Sequence, residues 1–155
     1  MSTVAPRHTG DAGDIPGTAG VTYGPATTTS TSAAAGRTVD LKDVFARLDQ
    51  PWQPKVVARL NDYDIKCARL EGAFVWHDHP DTDELFIVMN GSLTIHLHTS
   101  DIALGPGQLY VVPRGFQHCP VADGIVHTLL IEPWGTVNTG TETNERTYDP
   151  DDWTP

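Results

Sequence analysis

The sequence predicts an all-β domain, either a barrel or a sandwich, that follows one short helix. From residue 55 onward, apolar and polar side chains alternate with the period of a half-buried strand. Turn signals rich in Gly, Pro, Asn and Asp separate these segments at roughly ten-residue intervals, which is typical of barrels and sandwiches. No internal repeat is long enough to indicate a propeller or a solenoid.

The N-terminal part of the chain differs in composition from the rest. It is rich in Ala, Thr, Ser and Gly and has few large apolar residues, so it can bury little surface to offset the entropy cost of ordering. We interpret residues 1–37 as a flexible arm and residues 38–155 as the folded domain. An alternative is that the arm docks along its own barrel or on a partner subunit, with Val21 and Tyr23 as anchors.

A short helix is predicted immediately ahead of the β segments. Apolar residues recur at helical spacing between Leu41 and Leu48, and Asp40 is placed to cap the helix start. Pro51 and Pro54 then prevent the helix from continuing. The pattern therefore indicates one helix or helical turn that packs on the domain.

Seven strands are predicted along the rest of the chain: residues 56–60, 65–70, 73–79, 84–89, 93–98, 108–112 and 126–132. Asn90-Gly91 is the strongest short hairpin signal, because both residues tolerate the positive φ that a type I′ turn requires. We therefore expect segments 84–89 and 93–98 to pair with each other through a tight turn.

Composition limits the classes of function. The 155 residues suit one domain, and the 20 acidic and 10 basic side chains give a formal charge of −10. Such a surface repels nucleic acid and anionic lipid, so neither is an expected partner. No signal peptide or membrane-spanning run is visible, and a cytoplasmic location is expected. Cys67 and Cys119 are then expected to be free thiols.

Three histidines and one glutamate carry the main chemical signal. His77 and His79 lie two residues apart, so a strand would direct both imidazoles to one face. Glu84 follows after a short loop, and His118 follows a Pro- and Gly-containing bend. Three imidazoles and a carboxylate suit a divalent transition metal. The alternative is a set of histidines without metal on a half-buried sheet.

The spacing of these residues resembles the two motifs of the cupin superfamily. In the first, residues 72–91, four residues separate His79 from Glu84 and six more precede the final glycine. In the second, residues 107–118, five residues precede Pro113-Arg114-Gly115 and two more precede His118. The first glycine lies one residue closer to His77 than is usual, and Ala122 replaces a frequent Asn. The flanking sequence resembles small single-domain cupins.

This resemblance implies a double-stranded β-helix, the jelly-roll cupin barrel, with a short N-terminal helix. It also implies one divalent metal per subunit (Fe, Mn, Ni, Cu, Co or Zn) on His77, His79, Glu84 and His118, and a homodimer. The expected function is metal-dependent catalysis on a small organic molecule, with dioxygenase chemistry first and isomerase, lyase or dehydratase chemistry close behind. The alternatives are a small-molecule or sugar-binding module without turnover and a structural metal barrel.

Several other side chains are candidates for a substrate pocket. These are Phe86, Tyr110, Phe116, His127 and Arg69. Phe86 stands where small cupin lyases that cleave sulfonium acids carry a Tyr, which argues against that chemistry because Phe cannot act as a base.

Other polar side chains are expected to face away from the metal. Lys66 lies on the strand face opposite Arg69, so at most one of the two can enter the barrel, and a surface position is the ordinary expectation for Lys66. His96 and His98 are expected to face solvent or a partner subunit, because the apolar residues that alternate with them should face inward. Cys119 is expected to point away from the metal for the same reason.

Overall fold

The structure is a computed structural model that describes residues 36–150. Nearly all of the predicted arm, including the proposed anchors Val21 and Tyr23, lies outside the described residues. The described part contains one helix and six strands: α1 Leu41–Arg47, β1 Lys55–Leu60, β2 Tyr63–Ala73, β3 Glu84–Leu97, β4 Asp101–Leu104, β5 Leu109–Val112 and β6 His118–Pro133.

Helix α1 forms where the apolar spacing predicts it. The Asp40 carboxylate accepts hydrogen bonds from the backbone N–H groups of Lys42 at 2.9 Å and Asp43 at 3.4 Å, which caps the helix start. Its buried residues Val44 and Phe45 pack on a small apolar cluster that includes Cys67 of β2. The helix therefore covers part of the outer surface of the sheet. Among the described residues, no helix is long and apolar enough to cross a bilayer.

The strands form one antiparallel sheet in the order β1-β2-β6-β3-β4, and β5 pairs with β3. The two long strands β3 and β6 pair along nearly their whole length, from Leu85 opposite Ile131 to Leu97 opposite His118. The first half of β3 also pairs with β5, and its second half pairs with β4. This arrangement confirms the predicted all-β jelly-roll fold.

The predicted tight hairpin at Asn90-Gly91 is wrong. Strand β3 runs through both residues, and residues 93–97 pair with β6 and β4 rather than with the preceding segment. The register between β3 and β6 shifts on both sides of Asn90. Gly91 has a φ of 86°, and a Cβ there would lie 2.8 Å from the backbone oxygen of Ile125. Asn90-Gly91 therefore marks a bend at which the backbone of β6 comes close to β3.

The predicted strand over residues 73–79 is also wrong. Strand β2 continues to Ala73 with an irregularity at Gly72, and residues 74–83 lie outside the named strands. Within this segment, His77 forms one isolated bridge with His118, through hydrogen bonds of 3.1 and 2.9 Å between their backbone groups. This bridge links the two segments that carry the histidines.

The core lies inside the sheet and follows strand alternation. Its members come from both halves of the sheet and from the segments beside it: Trp52, Ala68, Leu70, Phe74, Phe86, Val88, Leu93, Ile95, Leu104, Val112, Ala122, Val126 and Leu130. On β2 and β6 these are the even-numbered residues, so neighbouring even-numbered side chains of the same regular stretches also face inward.

Candidate metal centre

The structure brings His77, His79, Glu84 and His118 together at one end of the apolar core. All four side chains are buried, and one ligand atom from each lies within 4.8 Å of the others. Because residues 74–83 are not a strand, the histidine pair reaches this point from a loop rather than from a regular strand face. The isolated backbone bridge between His77 and His118 holds this loop on the side of the sheet where His118 lies.

Backbone carbonyls fix the tautomers of two of the histidines. Nδ1 of His77 lies 3.0 Å from the carbonyl oxygen of Val75, and Nδ1 of His118 lies 3.0 Å from that of Phe116. A carbonyl oxygen only accepts, so both Nδ1 atoms carry the proton and donate it. The lone pair of Nε2 is then free on each ring, which is the arrangement found in metal-ligating histidines.

The short contact between His118 and Glu84 favours a cation between the two side chains. His118 Nε2 lies 3.0 Å from Oε2 of Glu84, and His79 Nε2 lies 3.4 Å from the same oxygen. With Nδ1 donating to a carbonyl, a neutral His118 would direct a lone pair at the lone pairs of a carboxylate. A proton or a metal ion between the two atoms removes this repulsion. His79 Nε2 is itself buried and has no hydrogen-bond partner within residues 36–150.

The electrostatics of the cluster favour an anionic carboxylate among imidazoles. Burial alone would raise the pKa of Glu84, but its contacts with His118 and His79 outweigh burial and hold that pKa well below its usual range. Burial, assisted by nearby His118, lowers the pKa of His77 to about 4. Burial opposes charge on His79 as well, yet Glu84 outweighs it and raises the pKa of His79. The donor set of three imidazoles and one carboxylate fits a divalent transition metal.

A small apolar cavity adjoins the cluster. Its volume is about 30 Å³, enough for a water molecule or two. His77 and Glu84 contribute to its wall, and the other lining residues are Trp52, Pro54, Ala68, Leu70, Phe74, Phe86, Pro120, Leu130 and Asn138. Two of the four side chains of the cluster therefore border a cavity whose wall is mainly apolar.

Comparison with known proteins identifies the family. A family model described as a cupin domain matches residues 69–132. A cupin-2 domain containing protein from Shewanella frigidimarina has a similar crystal structure, with 44% sequence identity and a TM-score of 0.60, over 61% of this chain and 93% of that chain. The chain belongs to the cupin family.

Two further known proteins are less similar to this cupin. It is 36% identical over 63 residues to an uncharacterized protein, YdbB, of Bacillus subtilis, over 40% of this chain; the match spans 56% of the curated protein. Its fold also resembles that of hydroquinone 1,2-dioxygenase from Sphingomonas, with 20% identity and a TM-score of 0.52, over 61% of this chain and 72% of that chain. The second likeness concerns the fold alone.

Of the five candidate pocket residues, only Phe86 lines the cupin cavity. Tyr110 packs at the edge of the core, and Phe116 is 55% exposed. His127 stacks on Phe45 of α1 with ring centroids 4.6 Å apart, and Arg69 forms an ion pair with Glu71.

The position of Arg69 and His127 follows from strand alternation. The two residues are paired across β2 and β6, and their odd-numbered positions place them on the side of the sheet that α1 covers.

His96 and His98 lie away from the cluster, as strand alternation predicts. His96 lies 2.6 Å from a carboxylate oxygen of Asp101. His98 stacks on Trp76 with ring centroids 4.8 Å apart. Neither belongs to the group of possible metal ligands. Cys119 is buried as a free thiol.

The expected surface position of Lys66 is wrong. Lys66 and Glu132 are both fully buried, their Nζ and Oε1 atoms lie 2.7 Å apart, and Lys66 also donates to the backbone oxygen of Thr136 at 2.9 Å. Burial and the negative charge of Glu84 raise the pKa of Glu132 to about 7, although Lys66 acts against them. The available signal was alternation, because Lys66 shares a strand face with Ala68 and Leu70.

The segment after β6 covers the loop between His77 and His79. Thr141 donates from its backbone N–H to the carbonyl oxygen of Asp78 at 3.3 Å and from its hydroxyl to the Asp78 carboxylate at 3.1 Å. Gly140 lies so close that a Cβ there would overlap the Asp78 carbonyl oxygen. The sequence pattern assigned these residues no role at the site.

Proposed function

We propose that this cupin is a metal-dependent enzyme that acts on a small organic molecule. The observation that carries the proposal is the cluster of four buried ligand atoms, from His77, His79, Glu84 and His118, beside an apolar cavity. A divalent ion held by these residues supplies Lewis acidity or activates dioxygen. Dioxygenase chemistry is the first reaction class to test, followed by isomerase, lyase and dehydratase chemistry.

Backbone and side-chain groups of the protein support this chemistry in distinct ways. The carbonyl oxygens of Val75 and Phe116 hold two imidazoles with Nε2 toward the centre. Phe86 and Leu130 line the cavity with apolar surface, which excludes water and strengthens electrostatic interactions inside it. Glu84 provides the negative charge that a dication requires within an apolar core.

Metal analysis of the full chain, followed by oxygen uptake on a panel of phenols, catechols and keto acids, tests this proposal. We expect about one divalent ion per chain and loss of that ion in Glu84→Gln. The matched control is His96→Ala, which removes a histidine outside the cluster and should retain the metal. Carefully purified protein that folds but takes up no metal would refute the proposal.

The second candidate is a structural metal barrel without turnover. The small volume of the cavity, about 30 Å³, favours it because most organic substrates are larger. Chelation would then lower the unfolding temperature strongly, with no turnover of any compound in the panel. Turnover that depends on the metal would exclude this candidate.

We also infer that the protein forms a homodimer. Leu109 and Val111 of β5 are 58% and 43% exposed, and they lie on the face of the strand opposite inward-facing Val112. Adjacent exposed apolar side chains on a sheet favour association with a second copy. Sedimentation at micromolar concentration should give a dimer for the wild type and a monomer for Leu109→Asp/Val111→Asp. A wild type that sediments as a monomer contradicts the inference.

A further inference from the structure

A buried ion pair lies inside the barrel and is not part of the four-residue cluster. Lys66 on β2 and Glu132 on β6 are 0% and 1% exposed. They occupy the same strand faces as Ala68 on β2 and Leu130 on β6, both of which line the cavity. The pair therefore points into the barrel rather than toward α1.

Strand register places Glu132 beside the metal cluster. Leu85 of β3 is paired with Ile131 of β6, so Glu84 and Glu132 occupy the next position along this antiparallel ladder. Both side chains are buried, and residues opposite each other on one face of a sheet lie in contact distance. Glu132 also interacts electrostatically with both Glu84 and His79.

One oxygen of Glu132 has a partner and the other does not. Oε1 receives the Lys66 ammonium, whereas Oε2 is buried and has no hydrogen-bond partner among the described residues. A buried carboxylate oxygen without a donor is costly, so a donor is expected at this position. The neighbouring ligand Glu84 is an acceptor when ionised, so it cannot act as that donor.

We propose that Glu132, held in place by Lys66, is a positioning residue of the metal centre whose Oε2 accepts a hydrogen bond from an O–H group bound beside Glu84 and His79. That group is a water molecule, or a substrate hydroxyl that takes its place. The inference rests on the proposed function, because it requires a metal at the cluster. Lys66 acts through Glu132 by fixing the orientation of the carboxylate.

Azide binding to the Co(II)-loaded full chain, followed by visible absorption, tests this inference. Azide displaces a metal-bound water but carries no proton to donate. It therefore binds weakly where a hydrogen-bond acceptor such as Glu132 stabilises that water. In Glu132→Gln, which weakens the acceptor and removes its charge, we expect azide to bind at least about tenfold more tightly, the effect of one hydrogen bond to a charged group.

A second variant separates hydrogen bonding from charge. Lys66→Met/Glu132→Leu removes the acceptor and keeps the net charge of the pair at zero, and it leaves no unpaired charge in the core. Tighter azide binding should persist in this variant. The matched control is Thr128→Val, four residues from Glu132 on the same strand. It removes a buried hydroxyl that has no hydrogen-bond partner in the described part of the chain, and it should leave azide affinity unchanged.

The outcomes distinguish this inference from the proposed function. A wild type that takes up no Co(II) contradicts the proposed function itself. If the wild type binds Co(II) but azide affinity is unchanged in the double variant, the inference is overturned. Variants that melt at lower temperature, or that hold no metal, without any gain in azide affinity also overturn it, because the ion pair would then serve folding alone.

Discussion

Replacement of Gly140 by Ala should disturb the metal centre from outside the ligand set. Gly140 has a φ of 56°, and a Cβ at this position would overlap the carbonyl oxygen of Asp78. The same Cβ would lie 2.8 Å from the Asp78 carbonyl carbon and 3.2 Å from Nδ1 of His79. Because the obstacle is backbone between His77 and His79, rotation of a side chain cannot relieve the clash.

Two effects add to the cost of Gly140→Ala. A left-handed backbone costs Ala about 1–2 kcal/mol relative to Gly. Overpacking against rigid backbone adds about 1–3 kcal/mol. The sum of about 2–5 kcal/mol should lower the unfolding temperature by roughly 8–20 °C, at about 4 °C per kcal/mol for a domain of this size. Displacement of His79 should weaken metal binding by about 10- to 100-fold.

Gly135→Ala is the matched control for this prediction. Gly135 also has a positive φ, 78°, and precedes Gly140 in the same segment, but a Cβ there would meet no atom of the described residues within 4 Å. Gly135→Ala should therefore lower the free energy of unfolding only by the cost of the left-handed backbone, about 1–2 kcal/mol, and leave metal affinity unchanged. Thermal unfolding of the metal-free protein and competition titration with a chromophoric chelator measure the two effects. Equal metal affinity in the two variants would refute the reasoning.

Three further predictions concern the pH dependence of the centre, a buried thiol and the helix cap. Metal affinity should fall as the pH drops from neutral to mildly acidic values, because Glu84 raises the pKa of His79 and a proton on His79 competes with the metal. His77, with a pKa of about 4, stays neutral over this range. Competition titrations across pH check this, and a flat profile would contradict it. Burial raises the pKa of Cys67 to about 12, so iodoacetamide should modify this thiol far more slowly in the native protein than in urea, as followed by mass spectrometry. Asp40→Ala removes the cap of α1 and should cost about 1 kcal/mol in denaturant unfolding, with no change in metal content.

The cluster of four candidate ligands was predictable because the spacing of three of its members is local. His77 and His79 lie two residues apart and Glu84 follows after four more, so only His118 had to be brought from a distant segment. The geometry that brings the histidines together nevertheless differs from the one that strand periodicity predicts. The histidines sit in a loop that one bridge ties to His118, rather than on a regular strand face.

The Asn90-Gly91 bend could not be separated from a hairpin by local sequence. Both structures need a residue that accepts positive φ, and Gly91 satisfies that need in either case. What decides between them is the long pairing of β3 with β6, which joins residues more than twenty positions apart. A local turn signal carries no information about such a partner.

The Lys66–Glu132 pair was hidden for a related reason. A lysine within a strand is usually exposed, and alternation alone leaves open which face of β2 meets the core. The structure resolves this because Ala68 and Leu70 pack inward and take Lys66 with them. A lysine on that face must meet a carboxylate or lose its charge, and Glu132 is the residue that the β2–β6 ladder brings within reach. Sequence can reveal a cluster of candidate metal ligands through its spacing, whereas the charges that surround the cluster depend on strand register.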